Sequence, residues 1–463
     1  MFILKGDMTK GSIWRSLLLF MLPILLGNLL QQLYNTADSV IVGNFATAQY
    51  SLAAVATCSP ASMLLVSLAT GFTAGGGVVV AQYFGAHRMD DMKRSISTLI
   101  LFTAGFGVLM TFVGVFFSKW FLRVILCVKP DILPLANTYM VIYSCGLIFS
   151  FVYNGVAAVL RALGNSASSL LFLTVSALSN IVLDVLFVAV FDWGVAGAAI
   201  ATVLAQTVCA IVSFFYLLRK YGDFLPHGKD FTFDRAIFGQ IFSMGLPSAM
   251  QSAAVNLGSV LLQRMVNGFG PANMEAFLAA TRLDNILLAP TGAFGAALMS
   301  FTAQNIGAGN EERAKRGMYV THLMNGIISL CLIVPITVFA RPLIAFFGVS
   351  EAALELGVNQ VRWVVPMMMV FALHVPGCSF IRGTGASMMA SVSTLTAMFV
   401  RIVGAYTFVG RLGYAAPYTF LPVGWCFGFI VVWSYFFSGR WRGKALVKKA
   451  PAAQAAEEAP EEK

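Results

Sequence analysis

Long apolar runs follow one another along most of the chain, separated by short polar segments. A bilayer-spanning helix needs about 20 such residues. The pattern predicts twelve helices, over roughly 14–43, 51–84, 94–118, 131–160, 166–191, 194–219, 236–266, 275–305, 315–340, 351–381, 386–410 and 414–438. Several runs exceed the minimum length, which implies tilt or extension past the headgroups. None shows the alternation over about ten residues that a membrane barrel requires. The expected fold class is an all-α polytopic membrane protein with twelve transmembrane helices. Lys5, Lys10 and Arg15 precede the first run as in a signal peptide, but the polar run Gln31-Gln32-Leu33-Tyr34-Asn35 and eleven further runs predict a retained helix.

The pattern repeats. Ala81-Gln82-Tyr83-Phe84-Gly85-Ala86 returns as Ala303-Gln304-Asn305-Ile306-Gly307-Ala308, 222 residues later. Arg161-Ala162-Leu163-Gly164-Asn165-Ser166 returns as Arg382-Gly383-Thr384-Gly385-Ala386-Ser387 at an offset of 221, and Leu22-Pro23 as Leu246-Pro247 at 224. Six spans per half is an even number, so both halves enter the membrane the same way. Such parallel repeats place a transported substrate between two bundles that rock about it. The expected organisation is an amino-terminal bundle over 1–220, a linker over 221–234, a second bundle over 235–440 and a basic tail over 441–463.

Composition agrees. Of 463 residues 58% are hydrophobic and 11% charged, and the mean hydropathy is +0.81. That excludes a soluble enzyme, a disordered chain and a coiled coil. The net charge of +10 is of the size that suggests nucleic acid on a soluble domain. Here it reads as basic loops on one membrane face. With the amino terminus inside, 21 Lys and Arg fall on inner segments and 7 on outer ones. This predicts cytoplasmic termini and a location in the cell membrane. Seven cysteines, none in a Cys-x-x-Cys pair, read as packing residues, and neither a disulfide framework nor a zinc site is expected. The Ala/Glu/Pro-rich stretch 450–463 is expected to be disordered.

These residues resemble the multidrug and toxic compound extrusion (MATE) transporters over about 10–440. The resemblance rests on the duplication, on Leu22-Pro23 with Gln31-Gln32-x-Tyr34-Asn35-x-x-Asp38, on the paired Ala-Gln-x-x-Gly-Ala loops and on Arg161-x-x-Gly164-Asn165. It implies two parallel six-helix repeats forming a V-shaped pair of lobes, and cation-coupled export of drug-like molecules.

Few ionisable residues fall deep in the runs: Asp38, Asp184, Arg282, Asp284, Arg401, His322 and His374. A charge at such depth costs at least ~2.5 kcal/mol, so each is a functional candidate. Asn28, Gln31, Asn35 and Asp38 step by 3, 4 and 3 and share one helix face, which must look onto protein or water rather than lipid. Asn180 and Asp184 share a face of the fifth span, and Thr202 of the sixth lies at similar depth. Two carboxylates, an amide oxygen and a hydroxyl make an oxygen cage for sodium. The carboxylate pair also suits a proton, titrating as a unit, and oxygen ligands do not choose between the two. The resemblance implies the same four positions as the ion site.

The second half differs. Asn180 maps to Arg401, Asp184 to Ala405 and Asp38 to Leu262, while Ser252, Asn256 and Ser259 continue an uncharged stripe. Arg401 is expected to hold a fixed positive charge, with Asp284 as partner and Arg282 as a further structural charge. Asn28, Gln31, Asn35, Ser252, Asn256 and Ser259 are the expected substrate-cavity residues.

The expectation is an antiporter, not an enzyme, exporting amphipathic, often cationic, organic compounds in exchange for sodium or protons. No cofactor and no nucleic-acid partner is expected, and the chain should act as a monomer in the bilayer. A flippase for lipid-linked precursors is the alternative. It calls for a strongly basic cavity, for which the runs offer Arg282 and Arg401. A channel or a membrane enzyme ranks lower.

Overall fold

The computed structural model describes residues 6–46, 50–225 and 231–447. The linker positions 226–230 and the tail 448–463 lie outside the described residues. The helices in chain order are α1 (Ile13–Phe45), α2 (Ser51–Gly85), α3 (Met89–Trp120), α4 (Leu133–Cys145), α5 (Leu147–Ala162), α6 (Ala167–Asp184) and α7 (Gly194–Lys220). The second half supplies α8 (Arg235–Asn267), α9 (Pro271–Gly307), α10 (Glu311–Val338), α11 (Ala340–Ala345), α12 (Glu351–Gly383), α13 (Ser387–Leu412) and α14 (Ala415–Phe437). Short π-helical turns, Phe121–Ile125 and Val185–Val190, extend α3 and α6. No strand occurs among the described residues.

Local chemistry sets several of these boundaries. Asp234 caps α8 by accepting from the Ala236 and Ile237 amides at 2.8 and 3.0 Å. Asn310 accepts from the Arg313 amide and caps α10 in the same way. Asp90 and Asp91 in the first turn of α3, and Lys119 in its last, complement the helix dipole.

Ten helices are long and apolar enough to cross a membrane, and the bent pair α4 and α5 makes an eleventh. The remaining expected span, the seventh over 236–266, is α8, 33 residues long; its polar face, carrying Gln251, Ser252, Asn256, Ser259 and Gln263, interrupts its apolar stretch. The expected fourth span is broken by 46° at Gly146, not at a proline. A Cβ there would lie 2.6 Å from Val203 Cγ2 of α7, so the glycine permits both the bend and the close approach.

Each half has its own apolar core. In the first, Ile41, Val42, Cys58, Leu122, Tyr139, Phe151 and Val188 pack together; in the second, Leu283, Leu287, Ile333, Val361 and Val365 do so. Toward the end of the bundle that carries the chain termini, the halves interlock. Leu17, Phe20 and Met21 of α1 pack with Phe294, Phe301 and Phe380, while Ile237, Ile241 and Met244 of α8 pack with Val79, Leu99 and Val156. Glycines bring α2 onto α8: a Cβ at Gly75 would sit 2.5 Å from the Gly245 amide nitrogen, and one at Gly71 2.5 Å from that of Ala249. Small residues at a crossing let membrane helices pack backbone to backbone.

Candidate cation site and cavities

The polar face of α1 opens on a cavity of about 300 Å³, lined by Asn28, Gln31, Tyr34, Asn154, Arg161 and Gln206 among others. Asn35 is exposed and does not line it. Further along the same face, the carboxyl group of Asp38 meets that of Asp184. Asp184 is the last residue of α6, at the point where the π-helical turn begins. Such turns recur at functional sites because they shift the register of the side chains around them.

Asp184 is fully buried and Asn180, one turn earlier, is 2% exposed. Among the described residues, both carboxylate oxygens of Asp184, both amide atoms of Asn180 and Oδ1 of Asp38 have no hydrogen-bond partner. Buried polar atoms are nearly always satisfied, and two adjacent buried carboxylates repel unless a proton or cation sits with them. These three residues form a cluster whose chemistry calls for a small positive ion. Tyr34 and Tyr139 lie within electrostatic reach of Asp38; the sequence reading did not single them out as site residues, although Tyr34 belongs to the polar motif of α1. Thr202 is half-buried on α7, and its hydroxyl donates to the Ala198 carbonyl oxygen at 3.0 Å. No hydrogen bond joins it to either acid among the described residues. No group of three or more His, Cys, Asp or Glu suited to a metal gathers among those residues.

The second half encloses a larger cavity of about 720 Å³. Ser252, Asn256 and Ser259 line it, as do Asp284 and Arg401. Arg282 does not. It is exposed, with its guanidinium 5.7 Å from the centre of the Phe347 ring. Asp284 and Arg401 attract one another yet close no ion pair among the described residues, and Asp284 Oδ1 and Arg401 Nε are unpartnered. The apolar runs end at 160 and 381, which puts Arg161 and Arg382 on inner segments just beyond the spans. The structure turns both into the cavities, Arg161 into the first and Arg382 into the second. Arg382 Nη2 donates to Gln251 Oε1 at 2.7 Å.

His322 and His374 hold helices together. His322 Nδ1 and Nε2 lie 2.7 and 2.9 Å from the carbonyl oxygens of Met318 and Leu373, and His374 Nε2 lies 2.8 Å from Ser393 Oγ.

Between the cavities and the terminus-bearing end, the paired motifs form a closure. Gln82 Nε2 donates to the Gly383 carbonyl oxygen at 3.0 Å, across the halves. Gln304 Nε2 donates to the Ala162 carbonyl oxygen at 2.8 Å in the opposite sense. Each glutamine then grips one end of the chain. Gln304 Oε1 accepts from the Met8 amide at 2.9 Å, and Gln82 Oε1 from the Leu446 amide at 2.8 Å. Arg313 adds a donation to the Lys10 carbonyl oxygen at 2.9 Å. Gly164 and Gly385 have positive φ, +80° and +104°, and lie directly against the backbones of Gly6 and Lys444. A side chain at either position would be strained and would displace that terminal segment.

The family model MatE matches residues 23–186 and 247–407, two blocks displaced by the offsets of the internal repeat. The "Probable multidrug resistance protein YpnP" of Bacillus subtilis (strain 168) is 29% identical over 443 residues, covering 95% of this chain and 98% of that protein. The "FAD transporter" of Shewanella oneidensis is 27% identical over 360 residues, covering 76% and 78%. Among solved structures, the "Crystal structure of MATE in the straight conformation" aligns with a TM-score of 0.86 at 22% identity, covering 95% and 98%. With its all-helical, multiply membrane-spanning fold, the chain belongs to the MatE family, the multidrug and toxic compound extrusion transporters.

Proposed function

We propose that the protein is a cation-coupled antiporter that exports amphipathic, often cationic, organic compounds by alternating access. The observation that carries this reading is the cluster of Asp38, Asp184 and Asn180, whose unpartnered oxygens lie deep in a helical bundle beside a cavity. Gln31 and Asn28, about two and three turns from Asp38 along the same helix, line that cavity, so an arriving ion and a departing substrate act on the same helix. A cation moving inward gains ~2.3 kcal/mol per charge per 100 mV. Ion binding stabilises whichever conformation holds the cluster closed and so shifts the population toward release of substrate. Sodium and proton both suit the cluster. In this reading the protein is a monomer in the cell membrane with both termini cytoplasmic, and the glutamine closure seals the cytoplasmic end. "Multidrug resistance" in the name of the Bacillus relative supports drug-like cargo.

A second reading, anionic cargo, is favoured by Arg161, Arg382 and Arg401 lining the cavities, and "FAD transporter" is the name of one relative.

The test is reconstitution into vesicles with a sodium gradient and a pH gradient imposed separately. Dye efflux is compared for the native protein and Asp184→Asn. Coupled export requires the variant to lose gradient-driven efflux. Equal efflux from both proteins removes the coupling assignment.

A further inference from the structure

The larger cavity carries more unpaired charge than packing requires. Arg401 closes no ion pair among the described residues, and its Nε is unpartnered. Asp284, 7% exposed, leaves Oδ1 unpartnered on the same cavity. Arg382 offers a free Nε, and His374 a free Nδ1. A charge pair kept only for structure gains most by direct contact, because the desolvation cost is otherwise uncompensated. This pair closes no such contact among the described residues, and both members line a cavity of about 720 Å³. The walls suit a flat ring: Phe371 and Trp425, with ring centres 5.1 Å apart, line the cavity with Phe277.

The two guanidinium groups sit at different levels. Gln251 Oε1 accepts from Arg382 while Gln251 Nε2 donates to Thr394 Oγ1 at 3.0 Å. Arg401 lies seven residues further along the same helix as Thr394, roughly 10 Å away. The upper arginine is the one with its fork uncommitted, and a guanidinium fork matches a carboxylate or sulfonate in two parallel hydrogen bonds.

We propose that this cavity is a binding site for an aromatic organic acid, whose anionic group is held by Arg401 and whose rings lie against Phe371 and Trp425. Asp284 is the resident counter-charge that the ligand displaces. Arg382 supplies the second positive charge at the inner end. The site rests on the anionic-cargo reading and names its substrate class, and it separates from the acid cluster of α1 and α6 in both place and sign.

The test uses the purified full chain in detergent micelles and two xanthene dyes, fluorescein as the anion and rhodamine 6G as the cation, with binding followed by fluorescence anisotropy. Arg401→Gln should weaken fluorescein binding about tenfold, the loss of one charge-assisted hydrogen-bonding group, and leave rhodamine 6G within twofold. Arg401→Lys keeps the charge but loses the two-point fork, so it should weaken fluorescein binding too, though less than Arg401→Gln does. Asp284→Asn should tighten fluorescein binding, because a repelling carboxylate is removed. A structural ion pair predicts the opposite: both variants would weaken both dyes together. Absence of fluorescein binding to the native chain overturns the site, as does unchanged affinity in Arg401→Gln or weakened affinity in Asp284→Asn. Should Arg401→Gln fail to fold, Arg401→Lys and Asp284→Asn decide by the same signs. Binding in micelles needs no ion gradient, so a failure here leaves coupled export standing, and a failure of coupling leaves this site standing.

Discussion

Adding one methyl group at Gly307 should open the terminus-bearing end. An ideal Cβ at Gly307 falls 2.7 Å from the Gln82 carbonyl carbon and 2.8 Å from its Cα, against ordinary contact at 3.4–4 Å. The obstacle is backbone, so no rotamer relieves it. The Gln82 carbonyl oxygen is nearer still, so restoring contact distance requires α2 and α9 to separate by at least about 1 Å. The Gln82–Gly383 hydrogen bond starts at 3.0 Å and would stretch to about 4 Å, which is no longer a hydrogen bond. The Gln304–Ala162 bond at 2.8 Å and the Leu446–Gln82 bond at 2.8 Å also cross the moving boundary. At a net ~1 kcal/mol each, three lost bonds shift the equilibrium between closed and open ends by ~3 kcal/mol, a factor of roughly 150. The assay is double electron–electron resonance between nitroxides at His87 and Asn310, both exposed and one on each side of the closure, in a background with the native cysteines replaced. Gly307→Ala should add a longer-distance population. Gly292→Ala on the same helix is the control, because a Cβ there meets nothing within 4 Å. An unchanged distance distribution in Gly307→Ala would refute the idea that this glycine contact holds the end shut.

The remaining predictions concern the acid cluster and the packing. Asn180→Leu removes an amide but leaves both acids in place; sodium-driven efflux should fall about tenfold, the loss of one polar ligand, while efflux driven by a pH gradient stays within twofold. Losing proton-driven efflux instead would reject the amide as a cation ligand. Gly75→Val should lower the thermal stability of the protein in detergent by about 1–3 kcal/mol through overpacking, since even a Cβ would lie 2.5 Å from the Gly245 nitrogen. A melting temperature equal to the native value would show that α2 and α8 separate freely.

Much of the fold was legible because lipid leaves helices few alternatives. The apolar runs mark the spans, and motifs returning at offsets of 221 to 224 mark the two halves. What the runs hide is what a span does at its ends. Arg161 and Arg382 each lie one residue past an expected boundary, yet both are in the last turn of a helix, and their long side chains reach into the cavities. A long cationic side chain is assigned wrongly whenever its Cα is read for its head group. The break at Gly146 was equally invisible, since the glycine sits inside an unbroken apolar run. Asp38, Asn180 and Asp184 were legible for the opposite reason. A polar residue spaced on one face of an apolar helix has no cheap explanation. Thr202 carries less of that signal, because a hydroxyl satisfies itself on its own helix, as it does here with Ala198.

The paired glutamines explain why the two halves kept some positions alike and let others diverge. Gln82 and Gln304 do the same work in opposite directions, each bonding a carbonyl at the end of the other half's Arg-containing helix and each holding one end of the chain. A reciprocal closure of this kind needs both members, because loss of either leaves a buried amide and a buried carbonyl unpaired. The cavities are under no such constraint. The smaller is lined by the first half alone and the larger by the second half with Ser67 of α2, so Asn180 and Asp184 can face Asp38 in the first half while Arg401 and Ala405 occupy the matching positions in the second. A common seal tied to an acid cluster in one half and an arginine-lined cavity in the other allows one rocking motion to expose both together. Under that arrangement Gly307→Ala should alter access to both cavities at once, whereas Asp184→Asn and Arg401→Gln should each affect one.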